Sequence, residues 1–101
     1  MGHHWQVNGN KYKFVCKEIK RIEQSVGADY LAVLISAIEE QLESGSGLID
    51  VSDVNKDYKG SVAVVLTEGK EQGVLIAGFG KQSDTQMIVD ISCEYFWFKK
   101  N

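Results

Sequence analysis

Residues 53–57, which read Asp-Val-Asn-Lys-Asp, have the spacing in this chain that comes nearest to a metal-binding motif. Calcium loops place oxygen-bearing side chains at their first, third and fifth positions, so that alternate residues of a tight loop converge on one cation. The later positions do not follow this pattern, because the sixth is Tyr58 instead of glycine and the twelfth is Val64 instead of glutamate. We therefore interpret the segment as a turn rich in Asp and Asn that precedes a strand, and we predict no metal site.

Patterns that indicate catalysis or cofactor binding are also missing from the sequence. Both histidines, His3 and His4, lie at the N-terminus, and no Cys-His or Ser-His pair falls inside the predicted fold. Residues 78–81 lack the upstream glycine of a phosphate-binding loop, because Leu75 stands five positions before Gly80. We predict a protein that is not an enzyme and that holds no cofactor.

Charge is unevenly distributed along the chain. The net charge is −3 overall, but residues 23–57 carry eight acidic side chains against one lysine. Such a block favours a basic protein partner, because complementary charge accelerates association. The predicted partner-binding residues of this block are Glu39, Glu40, Glu43, Asp50, Asp53 and Asp57. The alternative is that the three glutamates merely form the solvated face of an amphipathic helix.

Four consecutive aromatic residues, 95–98, end a long predicted strand over residues 86–98. Strand alternation points Tyr95 and Trp97 toward the core and Phe96 and Phe98 toward the opposite face. An exposed Phe96 and Phe98 would form a patch that suits a partner protein or a second copy of the chain. If helices cover that face as well, the same side chains form a second core.

The basic residues of the N-terminal part, Lys13, Lys17, Lys20 and Arg21, would share one face of a helix. Binding to phosphates requires such a basic surface to extend over more of the molecule than one short helix. Since the chain is acidic overall, we interpret these residues as a solvated helix face and predict no binding to nucleic acid.

Length and composition predict one domain over residues 1–101. Hydrophobic residues make up 44% and charged residues 25%, as in folded globular proteins. The two cysteines, Cys16 and Cys93, lie among apolar neighbours, which favours reduced thiols in a cytoplasmic protein over a single disulfide bridge. No apolar run reaches the length of a membrane span, so we predict no membrane partner.

The first half of the chain predicts a hairpin followed by one or two helices. Asn8-Gly9 is a pair that type I′ hairpin turns favour. Helical spacing of apolar residues begins at about Tyr12 and is interrupted at Gly27. Asp29 can then cap a second helix, which ends at the glycines of residues 44–47. One helix bent at Gly27 is the alternative.

The second half predicts an antiparallel sheet. Residues 48–51 are compatible with a short strand, and residues 61–67 are apolar on both faces, as expected of a central strand. A loop over residues 68–72 leads to a strand over residues 73–80, where Gly78 and Gly80 predict either a bulge or close packing by a neighbouring aromatic side chain. The predicted fold is a two-layer α+β domain, in which an N-terminal hairpin and one or two helices pack on an antiparallel meander of three to four strands.

Taken together, these features predict a small protein-binding domain without enzymatic activity. The expected function is that of an inhibitor or immunity-type protein, which neutralises a basic partner such as a toxin nuclease. The alternative is a homodimeric scaffold or ligand-sensing domain of a cytosolic protein.

Overall fold

The computed structural model describes residues 6–15, 17–45, 47–67, 70–83 and 97–101. Within these residues the elements, in chain order, are β1 (Gln6–Asn8), β2 (Tyr12–Val15), α1 (Lys17–Val26), α2 (Ala28–Ser44), β3 (Leu48–Asp50), a 3-10 turn (Val51–Asp53), β4 (Tyr58–Thr67), β5 (Lys70–Lys81) and β6 (Trp97–Lys100). The strands form two antiparallel sheets, with orders β1-β2-β6 and β3-β4-β5. The predicted α+β class is confirmed, and the packing is consistent with two layers.

The N-terminal hairpin of β1 and β2 is confirmed, but its turn lies further along the chain than predicted. The amide of Gly9 donates to the carbonyl of Tyr12 at 2.8 Å, which leaves Asn10 and Lys11 at the turn instead of Asn8-Gly9. The prediction that helical structure begins at about Tyr12 is wrong, because residues 12–15 pair with strands on both sides. Alternation buries Tyr12 and Phe14 on one face of β2, and this burial overrides the helical spacing.

Two separate helices form, as predicted, and Gly27 separates them with a φ of 100°. The prediction that Asp29 caps the second helix is wrong, since α2 begins at Ala28 and Gly27 is the cap residue. Asp29 lies instead in the first turn of α2. The C-terminal end is as predicted, because Gly45 adopts the left-handed conformation with a φ of 77°.

The β3-β4-β5 sheet is the predicted meander, with β4 as its central strand. Both long strands are longer than predicted, since β4 begins at Tyr58 and β5 extends from Lys70 to Lys81. Residues 70–72 of the expected five-residue loop belong to β5, and residues 68–69 lie outside the described part of the chain.

The bulge predicted near Gly78 is confirmed. Lys59 pairs with Gly80 and Ser61 pairs with Ala77, so two residues of β5 stand opposite the single residue Gly60. Gly78 has a φ of 66°, and Gly60 has a φ of 129°. A Cβ atom at Gly60 would lie 2.6 Å from the Cα of Phe79, so the two backbones approach more closely than any side chain permits.

The last strand differs most from its prediction. Residues 86–96 lie outside the described part of the chain, and the described end of the predicted strand, β6, pairs with β2. Trp97 is 44% exposed, whereas Phe98 packs against the core, with its ring centroid 5.5 Å from that of Tyr12 and the two rings nearly perpendicular. The predicted orientations of Trp97 and Phe98 are therefore reversed. The physical reason is the register, which places Phe98 directly opposite the fully buried Phe14.

The hydrophobic core is built from one face of α2 and the faces of the sheets that meet it. Its most deeply buried large side chains include Phe14, Leu34, Ile38, Val62, Ile76 and Phe79. In the described part of the chain, no helix has the length and apolar character that crossing a bilayer requires. Cys16 and Cys93, and with them the prediction of reduced thiols, lie outside the described residues.

Candidate functional site

The three glutamates of α2 do not form one acidic face. Glu40 is exposed, but Glu39 is only 4% exposed, and its Oε2 atom accepts hydrogen bonds from the amides of Lys11 (2.8 Å) and Tyr12 (3.0 Å). Gly9 makes this possible, because a Cβ there would lie 2.2 Å from Glu39 Oε2. The prediction that Glu39 faces solvent is wrong. This carboxylate instead fastens the hairpin turn to α2.

Glu43 is also engaged within the fold, although its side chain stays partly exposed. Its Oε2 atom accepts a hydrogen bond of 2.7 Å from the Tyr12 hydroxyl and lies 3.8 Å from Lys100 Nζ. The hydrogen bond from Tyr12, followed by the positive charge of Lys100, lowers the pKa of the Glu43 carboxyl. Glu43 thus links α2 to β2 and β6, and its charge is already matched by a lysine.

The remaining predicted carboxylates lie in one segment, residues 50–57, which we call the acidic loop. It joins β3 to β4, and Asp50, Asp53 and Asp57 are all exposed on it. The loop also holds one exposed cation, Lys56. In the described part of the chain, no group of three or more His, Cys, Asp or Glu side chains is arranged to hold a metal ion.

Side chains of the acidic loop hold its own backbone in place. Asp50 Oδ1 accepts from the amide of Ser52 (2.9 Å) and from its hydroxyl (2.7 Å), and these two bonds lower the pKa of the Asp50 carboxyl. Asn55 Oδ1 accepts from the amide of Asp57 at 2.9 Å, which is the Asp/Asn-type turn that the sequence predicts. The acidic groups are therefore presented from a locally ordered loop.

A polar cleft lies where the acidic loop meets the start of α2. The Tyr58 hydroxyl donates to Asp29 Oδ2, and Lys81 Nζ lies 3.6 Å from the same oxygen. The cleft has a volume of about 400 Å³, and Asn55 and Asp57 also line it. Burial, reinforced by Asp29, raises the pKa of Tyr58 to about 12, so its hydroxyl is a proton donor and not a base at neutral pH. Sequence reasoning missed this trio, because no local spacing relates residues so far apart in the chain.

The β3-β4-β5 sheet presents an apolar surface on the side opposite the core. We call it the outer face; it consists of Leu48, Asp50, Lys59, Ser61, Ala63, Val65, Gly73, Leu75 and Ala77. Its three large side chains are well exposed, with 68% for Leu48, 52% for Val65 and 47% for Leu75. The predicted apolar character of both faces of β4 is correct, but the outer face is exposed and not buried.

Of the two alternatives for the C-terminal phenylalanines, packing against the core is the one found at Phe98. Phe98 is partly buried against the core, and Phe96 lies outside the described residues. Exposed large apolar side chains are found at Trp97 and on the outer face. The signal for the outer face is present in the sequence as the doubly apolar strand 61–67.

Comparisons with protein-family models, with curated proteins and with solved structures give no significant match. Function is therefore argued from the geometry of the chain itself.

Proposed function

We propose that this chain is a non-enzymatic protein-binding domain of the inhibitor or immunity type, which engages a basic protein partner through the acidic loop. The supporting observation is that Asp50, Asp53 and Asp57 are exposed on a segment whose backbone is held by Asp50 and Asn55. A loop that is already ordered loses less conformational entropy on binding than a disordered one. The three carboxylates are thus available to a partner at low cost.

If the acidic loop binds a basic partner, the association rate should depend on salt concentration. A cluster of like charges accelerates the encounter with an oppositely charged surface, and the acceleration weakens as salt screens the charges. Glu40 on the exposed side of α2 adds to the acidic surface, whereas Glu39 and Glu43 are used within the fold. A toxin nuclease is a suitable kind of partner, because an enzyme that binds phosphates carries a basic surface of its own.

The test compares two double variants that change the net charge equally. Asp53→Asn with Asp57→Asn removes two charges from the acidic loop, whereas Gln24→Lys with Ser25→Lys adds two on the exposed end of α1. Each immobilised protein is used to capture proteins from extracts of the native cell, and the captured protein is identified and its association rate measured against salt concentration. We expect a basic protein that the loop variant captures poorly and the helix variant captures normally.

Equal capture by the two variants, or an association rate that is independent of salt, would contradict the proposal. Asp50 is left intact in this experiment, because its replacement would also remove the hydrogen bonds to Ser52 and disturb the loop.

A further inference from the structure

We infer that the exposed face of the β1-β2-β6 sheet binds a single strand of nucleic acid, with a base stacked on Trp97 and a phosphate held by Lys13 and Lys99. The acidic loop joins strands of the other sheet, so this second surface is independent of the proposed function. We call it the lysine-tryptophan face; its six members are Gln6, Asn8, Lys13, Val15, Trp97 and Lys99.

Alternation along the strands separates this face from the core. On β2, Lys13 is exposed between the buried Tyr12 and Phe14. On β6, Trp97 and Lys99 are exposed in the same way, and they lie on the same side of the sheet as Lys13. The face is therefore open to solvent on the side of the sheet that does not contribute to the core.

Strand register arranges the six members in two rows across the sheet. The first is an aromatic row of Gln6, Val15 and Trp97, and the second is a cationic row of Asn8, Lys13 and Lys99. The rows lie about 7 Å apart, because they are formed by alternate residues of each strand. A nucleotide has the same division, with an aromatic base at one end and a phosphate at the other.

The two lysines of the cationic row stand directly opposite each other, Lys13 on β2 and Lys99 on β6. Like charges in this position destabilise a sheet. In the part of the chain that the structure describes, neither lysine forms an ion pair with a carboxylate. Lys11, which is exposed immediately before β2, adds a third cation two positions from Lys13. A phosphate bound to both lysines compensates their repulsion and accepts charge-assisted hydrogen bonds from them.

Trp97 favours a single strand over a duplex or an acidic protein as the occupant. It is 44% exposed, and an exposed indole provides a ring on which a base can stack. Bases of a duplex are stacked on one another, whereas those of a single strand can lie flat on an aromatic side chain. An acidic protein surface would pair with the lysines but would make no use of Trp97.

The charge of the face argues against a second copy of this chain as the occupant. Face-to-face pairing would bring Lys13 and Lys99 of one copy against those of the other. None of the six members carries a carboxylate that could compensate them. Such a dimer would be opposed by repulsion, whereas the phosphates of a nucleic acid are attracted.

The basic residues of this face are not the set that the sequence predicts on one helix. Lys13 lies on β2 instead, and the register adds Lys99 from the other end of the chain. The expectation that the chain binds no nucleic acid concerns the helical set and the overall charge. The negative charge is concentrated in residues 23–57, none of which belongs to the lysine-tryptophan face. Local charge governs contacts at a surface, because salt screens more distant charges.

The probe is a fluorescently labelled oligodeoxythymidylate of about ten nucleotides, whose binding to the full chain is followed by fluorescence anisotropy. We expect Trp97→Leu to weaken binding about fivefold or more, because the base loses its stacking partner. Trp97→Phe retains an aromatic ring and should weaken binding less. Unchanged thermal midpoints of the two variants verify that they fold.

The lysines are tested by two double variants that change the net charge equally. Lys13→Gln with Lys99→Gln should weaken binding about fivefold or more and should lower the slope of log affinity against log salt by about 0.7–1.4. Lys56→Gln with Lys59→Gln, in the acidic loop and on β4, should leave the affinity and the slope unchanged.

Equal binding by the leucine and phenylalanine variants, equal binding by the two double variants, or tighter binding of a duplex of the same length would overturn the inference. Tighter binding of a polyglutamate peptide, or of vesicles that contain phosphatidylserine, would also overturn it. Asp53→Asn with Asp57→Asn should bind the oligonucleotide no more weakly than the original protein. Either proposal can thus fail while the other stands.

Discussion

The two faces of the β3-β4-β5 sheet are built from similar residues, yet they have opposite environments. On β5, Ile76 is 1% exposed in the hydrophobic core, whereas its neighbour Leu75 is 47% exposed on the outer face. Alternation along a strand assigns side chains to two faces but does not determine which face a helix covers. An apolar residue on the uncovered face contributes little to folding, and it is therefore available for binding.

Two neighbouring acidic residues of α2 show the same contrast between a buried and an exposed side chain. Glu39 is buried beneath the hairpin turn, and Glu40 is exposed. A carboxylate that accepts hydrogen bonds from backbone amides serves the fold, whereas one that faces water is free to attract a partner. The predictions below test these contrasts.

The largest effect is expected from truncating the covered face. Ile76→Ala should lower the free energy of unfolding by about 2–5 kcal/mol, because it leaves a cavity in the core. Leu75→Ala should change it by about 0.5 kcal/mol or less, because Leu75 is exposed. Chemical denaturation of both variants measures the difference. Similar losses in the two variants would mean that the outer face is also covered in solution.

The bulge that turns Phe79 toward the core is expected to tolerate no side chain at Gly60. Gly60→Ala should destabilise the protein by about 3 kcal/mol, because the added Cβ collides with the backbone of Phe79 at a positive φ. Gly47→Ala is the matched control, since its φ is 72° but nothing lies within 4 Å of the added atom. It should cost only about 1–2 kcal/mol. If the two variants lowered the thermal midpoint equally, the close approach of the Gly60 and Phe79 backbones would not add to the cost of a side chain.

The contrast between Glu39 and Glu40 predicts a smaller effect. Glu39→Leu should cost about 1–3 kcal/mol, because the amides of Lys11 and Tyr12 lose their acceptor. Glu39→Gln retains an acceptor oxygen and should be milder, and Glu40→Gln should be nearly neutral. Urea denaturation ranks the three variants. If Glu39→Leu were as stable as Glu40→Gln, the fastening of the hairpin to α2 would be refuted.

The smallest effect concerns Tyr58 and appears only in alkali. Its pKa is raised from an ordinary 10.0 to about 12, so folding favours the protonated hydroxyl. The associated stabilisation is complete below pH 10 and is lost as the pH rises toward about 12, because the folded state then binds more protons than the unfolded state.

Ultraviolet titration of phenolate absorbance, with unfolding measured at each pH, tests this prediction. The Tyr58→Phe variant should lack the phenol that ionises near pH 12. Its free energy of unfolding should also fall less between pH 10 and pH 12 than that of the original protein. If Tyr58 of the folded protein ionised with the ordinary pKa of about 10, the buried hydrogen bond to Asp29 would be contradicted.

Features that depend on nearby residues could be predicted from the sequence. They include the break at Gly27, the left-handed end of α2 at Gly45, the central strand β4 and the bulge at Gly78. Each follows from backbone preferences or from side-chain alternation over a few positions. The acidic loop was predictable in the same way, because its charges and its turn residues are close in the sequence.

Only the tertiary structure decided which distant residues meet. Residues 12–15 become a strand because β6 pairs with them, and Glu39 is buried because the hairpin turn folds over it. The Asp29–Tyr58 hydrogen bond joins residues that no local pattern relates. The exposure of the outer face likewise depends on which side of the sheet α2 covers. Short-range preferences act within a few residues of the chain, whereas burial and hydrogen-bond partners are set by the packing of whole elements.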